Sequence, residues 1–232
     1  MKFSEMKYER PDLAAVKDEL HALTERLKAA NCYAEAREAF LAHEAAYIHM
    51  ETQATLASVR HTIDTRDEFY DAEETFWNAA TPELDAYEDA WKGAMLESPF
   101  RKEFAAEYGD LMFVNAEIAR KAFSPEIIPE SQQENDLSQA YSKLIASAQI
   151  PFEGGVYTIS QLSPFKNDAD DARRLAAWQA EGAWYKEHQA EFDDIYDKMP
   201  SDCVIGHVTT TGYGEQILIE ALHADSGEIE TV

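Results

Sequence analysis

With 232 residues, 20 Lys and Arg against 45 Asp and Glu, and a formal charge of -25, the chain is long enough for a substantial core and is strongly acidic. Nucleic acid and anionic membrane surfaces are disfavoured as partners, because both need cationic side chains to displace counterions. Cys32 and Cys203 have no CxxC spacing, so neither a disulfide framework nor a thiolate metal site is implied; without a signal-length apolar run or a span of roughly 18 apolar residues, a cytoplasmic protein is expected.

Leu13, Val16, Leu20, Leu23 and Leu27 recur at spacings of three and four, which predicts a first amphipathic helix ending near Asn31, with Pro11 in its first turn. A second helix is expected from about Ala34 to about Thr62, roughly 40 Å long, with Phe40, Leu41, Tyr47, Ile48, Thr55 and Val59 on its apolar face. Asp64 or Thr65 caps the next segment, in which Phe69, Ala72, Phe76 and Ala79 form a stripe. Thr81-Pro82 marks a boundary, and Leu84, Tyr87, Trp91 and Met95 define a further helix. Ser98-Pro99 opens another with Phe100 and Phe104, which Gly109 closes. Val114 and Ile118 line the one after it. Ser124-Pro125 starts a helix carrying Leu137, Tyr141, Leu144 and Ala148.

The period then changes. Ile150 to Phe152 and Val156 to Ile159, separated by Glu153-Gly154-Gly155, predict one β-hairpin near residues 149–160. Ser163-Pro164 and residues 167–171 lead into a last helical stretch with Leu175, Trp178, Trp184, Phe192, Ile195 and Tyr196. Trp77, Trp91, Trp178 and Trp184 all sit on helical stripes and are expected in the core. The fold class is therefore mainly α with one hairpin. Residues 200–232 break this character with glycines at 206, 212, 214 and 227 and apolar runs too short to assign.

Five segments carry a resemblance. They are residues 2–13 (KFSEMKYERPDL), 55–77 (TLASVRHTIDTRDEFYDAEETFW), 97–104 (ESPFRKEF), 123–165 (FSPEII through KLIASAQIPFEGGVYTISQLSPF) and 192–199 (FDDIYDKM). In these the chain resembles the N-terminal region of the M3 zinc oligoendopeptidases, the oligoendopeptidase F type, over about residues 1–199. The resemblance implies a helical domain forming one wall of a channel that admits short peptides. It also implies that catalysis belongs to a separate downstream region, where a HExxH helix and a later glutamate hold zinc and the metal activates water.

No HExxH occurs in these 232 residues. His43-Glu44-Ala45-Ala46-Tyr47 has Tyr in place of the second histidine, and His49 lies about 240° further around the helix. The pair reads as solvated, so no catalytic or metal-binding residue is assigned, and zinc belongs to the full-length family alone. Arg60, His61, Asp64, Arg66 and Asp67 form the densest polar cluster. One reading is a peptide-channel patch of Arg60, His61, Asp64 and Arg66 gripping a peptide terminus. The other is a capping and ion-pair network between two helices, with Asp64 satisfying the next helix's amides. Glu220-x-x-His223 and its Asp counterpart Asp18-x-x-His21 are the nearest approach to a di-metal bundle motif, which needs two Glu-x-x-His pairs. Serine or cysteine nucleophile motifs and a P-loop are absent from the sequence.

Two functions follow as expectations. The first is a truncated M3-like scaffold, residues 1–199, inactive alone, with a divergent tail at 200–232 that is disordered or derived from a frameshift. In it, apolar surface where a catalytic domain would dock promotes self-association. The second is a free-standing acidic helical module that binds peptides or a partner protein without catalysis.

Overall fold

The computed structural model describes residues 3–199, together with the backbone of 220–222 and 229–231. The side chains of Glu220 and His223, and the character expected of residues 200–232, lie outside the described residues.

Helix α1 (Leu13–Lys28) opens where the Asp12 carboxylate accepts from the Ala14 and Ala15 amides, so Pro11 precedes the cap rather than entering the first turn. Its predicted stripe holds, with Leu20, Leu23 and Leu27 buried. Helix α2 (Tyr33–Ile63) has 31 residues and extends about 46 Å. The side it buries differs from expectation. Leu41, Ile48 and Val59 are exposed, while Ala36, Phe40, His43, Met50, Gln53, Ala57 and His61 are buried. Those positions also recur at helical spacing, but alanine, histidine and glutamine occupy most of them.

Helix α3 (Glu68–Glu97) overturns the boundary expected at Thr81-Pro82: it is a single helix with Pro82 inside it. Its buried stripe, Glu73, Trp77, Ala80, Leu84, Glu88, Trp91 and Met95, keeps steps of three and four straight through the proline. A proline leaves the carbonyl four residues earlier without its helical donor. Here Asn135 Nδ2 donates to the Asn78 carbonyl at 3.1 Å, and Gln132 Nε2 donates to that of Ala79 at 2.7 Å. Both donors come from α6 (Ile128–Ala146), so the proline is satisfied by a neighbouring helix.

Helix α4 (Arg101–Tyr108) is capped by Gly109 as predicted. Helix α5 (Leu111–Ala122) buries Phe113 and Ala116 and turns Val114 and Ile118 outward, the reverse of the predicted stripe. A Cβ added at Gly93 would lie 2.8 Å from the Arg120 guanidinium, the mobile end of a side chain that reaches across α3 to pair with Asp89.

Strands β1 (Ile150–Phe152) and β2 (Gly155–Tyr157) form the predicted hairpin, in which Ile150 pairs with Tyr157. Glu153 and Gly154 both take positive φ, 47° and 81°, which is the requirement of a type I′ turn. The second strand stops two residues early, because Thr158 and Gln161 form a reciprocal capping box that starts α7 (Ile159–Lys166). Pro164 lies within α7 and not before a helix. The last helical stretch is two helices, α8 (Asp171–Glu187) and α9 (Gln189–Asp197), broken at His188. Two short strands, β3 (Glu220–Leu222) and β4 (Ile229–Thr231), pair antiparallel.

Three apolar clusters hold the described residues together. Leu27, Phe40, Trp91, Phe104 and Phe113 form one, and Leu20, Met50, Trp77 and Leu84 a second, both within α1–α5. The third joins the hairpin to α7 and α8 through Ile150, Phe152, Leu162 and Trp184. Trp178 departs from the prediction: it is 54% exposed, beneath the Lys166 ammonium. Each fully buried Leu or Phe contributes roughly 1.5–3 kcal/mol, several times an exposed ion pair, so these clusters dominate stability.

Candidate functional site

Between the C-terminal half of α2, the first turns of α3 and the length of α6 lies an open cleft of about 750 Å³. Each helix presents polar residues one turn apart: Ser58 and Thr62 on α2, Glu74 and Asn78 on α3, Asn135 and Gln139 on α6. Residues four apart share a helix face, so the three pairs line one cleft. The N-terminus of α7 closes one side with Thr158 and Ser160. A second cleft of about 500 Å³ adjoins the first, shares Thr62, Ile63, Thr65, Ala146 and Thr158 with it, and adds Asp64, Arg66 and Lys143.

Gln139 positions α6 over this cleft. It is the one buried residue of α6, and its amide oxygen accepts from Asn78 at 2.8 Å while its nitrogen donates to Asp71 at 2.8 Å. Asp71 also meets the Lys143 ammonium and lies 3.2 Å from His61 Nε2. Burial acts to raise the Asp71 carboxyl, but Lys143, Gln139 and His61 outweigh it and hold the group below its ordinary value.

The predicted cluster does not act as one unit. His61 is buried in the floor of the larger cleft, and Asp64 and Arg66 line the smaller one. Arg60 turns the other way, donating to the Tyr70 hydroxyl at 2.7 Å and to the Met6 carbonyl, with its guanidinium 5.7 Å from the Phe3 ring centre. The cap is also reassigned. Asp67, not Asp64 or Thr65, accepts from the Phe69 and Tyr70 amides to start α3, while Asp64 ends α2 and accepts from Arg66. Both partners of that last pair are well exposed, so it adds little stability.

His43 is not solvated. It is 1% exposed, stacks on Trp91 at 3.9 Å and 2°, and lies 3.0 Å from a Glu88 carboxylate oxygen. That environment rules out the exposed His-Glu pair expected from the sequence. Glu74, Asn78, Asn135, Gln139 and Lys143 escaped sequence reasoning. Their signal was polar residues recurring four apart on otherwise amphipathic helices.

The Peptidase M3 N-terminal domain model matches residues 3–123, more than half of the sequence. The chain belongs to the M3 peptidase family. No curated protein matches it. Among solved structures, this M3 chain is similar to a 3.1 Å oligoendopeptidase F, at 37% identity over 86% of its length with a TM-score of 0.82. A PZ peptidase A bound to an inhibitor matches at 36% identity over 85%, with a TM-score of 0.81. An oligoendopeptidase F from Bacillus anthracis matches at 33% over 86%, with a TM-score of 0.82. The matches cover 35%, 35% and 37% of those relatives, so the M3 chain spans about a third of their length.

The zinc used in this family requires several converging His, Cys, Asp or Glu ligands. Among the described residues of the M3 chain no three His, Cys, Asp or Glu side chains converge as a metal site requires. His43 faces a buried carboxylate and an indole, and His61 faces Asp71 beside Lys143, an ammonium that repels a cation. These residues do not fit zinc. No helix among the described residues is long and apolar enough to cross a membrane.

Proposed function

We propose that this chain is the helical channel-wall portion of a zinc-dependent oligoendopeptidase, cytoplasmic, handling short peptides, and without hydrolytic activity by itself. The observation that carries the reading is the match to the M3 N-terminal domain, combined with relatives described as oligoendopeptidases and a sequence free of HExxH. In this reading residues 1–199 are the scaffold and residues 200–232 a separate tail. His61, Asp64 and Arg66 face the clefts where a peptide would run, and Arg60 supports the wall from behind through Met6 and Tyr70. The acid surface supports neither nucleic acid nor an anionic membrane as partner.

An exposed apolar line on α2, formed by Leu41, Ile48, Val59 and Ile63, supports a docking face for the rest of such an enzyme, and hence self-association of the isolated chain. The test is to incubate the purified 232-residue chain with zinc and internally quenched peptides. No chelator-sensitive cleavage is expected, and turnover that chelation abolishes sinks the reading.

The polar cleft favours a second reading, an acidic helical module that binds peptides without catalysis. Size-exclusion chromatography with a hydrophobic dye separates the two. The scaffold reading expects concentration-dependent association and strong dye binding, whereas the module reading expects a monomer that binds little dye.

A further inference from the structure

We propose that the cleft between α2, α3 and α6 is a recognition site for the free amino terminus of a short peptide, with Glu74 as its counter-ion. The inference rests on the peptide-handling reading above and adds a site to it. One Glu74 carboxylate oxygen accepts only a long bond from Ser58 Oγ at 3.3 Å, and the other is buried with no hydrogen-bond partner. A carboxylate offers about four acceptor positions, so this one is largely unsatisfied. Leaving a buried acceptor oxygen unpaired is costly, and a ligand ammonium would remove the deficit.

The cleft's composition selects that ligand. No Lys or Arg lines it, and no ion pair to Glu74 exists among the described residues. The cations of the adjoining cleft, Arg66 and Lys143, already face Asp64 and Asp71. Asn78, Asn135, Ser138 and Ser142 add hydroxyl and amide groups that match peptide N–H and C=O groups, and the net charge of -25 raises the local concentration of cations. Along α6 the cleft runs from Asn135 to Ala146, about 16 Å at 1.5 Å per residue. An extended chain advances about 3.3 Å per residue, so the cleft seats about five residues. Rotation about the terminal torsion of Glu74, which is broad and roughly two-fold, turns the carboxylate toward the incoming ammonium.

The test uses the full chain, tetra-alanine amide with a free amino terminus and its N-acetylated counterpart, with binding read by calorimetry. The free peptide is expected to bind about tenfold more tightly than the acetylated one, as one charge-assisted contact allows. Glu74→Gln erases that difference, and Glu74→Ala provides the same comparison should the glutamine variant fail to fold. Equal binding of the two peptides, no binding of either, discrimination that survives removal of the carboxylate, or binding of putrescine but not the peptide overturns the proposal. Because the readout is binding, cleavage of quenched peptides by the chain would defeat the inactive-scaffold reading without altering this result.

Discussion

Glu73 shows how a charge can occupy a core position. Its carboxylate takes two bonds from Arg10, at 2.7 and 2.8 Å, and one from the Tyr8 hydroxyl, which accepts in turn from Trp77 Nε1 at 3.1 Å. Arg10 lowers the Glu73 carboxyl, burial opposes it, and Tyr8 adds to the lowering. Burial, reinforced by Glu73, pushes the Tyr8 hydroxyl up to about 12. His43 runs in the other direction. Burial favours its neutral form, but Glu44 and Glu88 outweigh burial and hold it above its ordinary value. The pH signs follow. The Glu73 contribution is complete above its ordinary value of 4.5 and is lost as pH falls through the lower folded value; the His43 contribution is complete below 6.5 and is lost as pH rises through the higher folded value. Urea midpoints against pH should therefore fall on both sides of a maximum between these values. Glu73→Ala should cost about 2 kcal/mol near pH 6, discounted from a fully buried pair because Arg10 is half exposed, and should flatten the acid side. An acid limb unchanged by the substitution would show that Glu73 does not set it.

Among the elements, the junction of α3 and α6 is where the sequence misleads. Thr81-Pro82 carries the ordinary signature of a helix boundary, and periodicity of apolar residues alone also fails there, because Glu88 interrupts the stripe that links Trp77 to Trp91 across the proline. What keeps the helix continuous is supplied by Asn135 and Gln132, more than 50 residues away along the chain. Asn135→Ala should thus cost about 1 kcal/mol, since it leaves the Asn78 carbonyl without its donor. In a Pro82→Ala background, where a helical N–H is restored at position 82, the same substitution should cost markedly less. A double-mutant cycle on unfolding free energies measures the coupling, and additive effects would show that Asn135 does not compensate for the proline. The same limitation hid the cleft. Glu74, Asn78 and Gln139 are unremarkable exposed-face residues in one dimension, and become a site only when α6 crosses α3. The densest polar run in the sequence, residues 60–67, proved to be divided among three environments. Local helix punctuation was more legible: Gly109, Ser124 and the Glu153-Gly154 turn all act where their chemistry places them.

For the whole molecule, the excess of 25 negative charges opposes compaction through self-repulsion, while the three apolar clusters hold the helices together. Between roughly 0.01 M and 1 M salt the screening length falls from about 30 Å to about 3 Å, so long-range repulsion is removed while buried contacts such as Glu73 with Arg10 persist. The thermal midpoint should accordingly rise with sodium chloride over this range, as scanning calorimetry would record. A falling midpoint would mean that the exposed ion pairs, which salt also screens, outweigh the net repulsion.

By itself the sequence determined the mainly α class, the first hairpin, some helix boundaries such as Gly109, and the family resemblance. These depend on local chemistry: backbone amides that need caps, prolines without a donor, glycines that tolerate positive φ, and apolar residues recurring every three or four positions. Only the tertiary structure decided which face of α2 is buried, that Pro82 lies inside a helix, that His43 is enclosed and that Glu74 borders a polar cleft. Each of those depends on what a helix meets from a distant part of the chain, because a buried polar group is stable only where a partner on another element satisfies it.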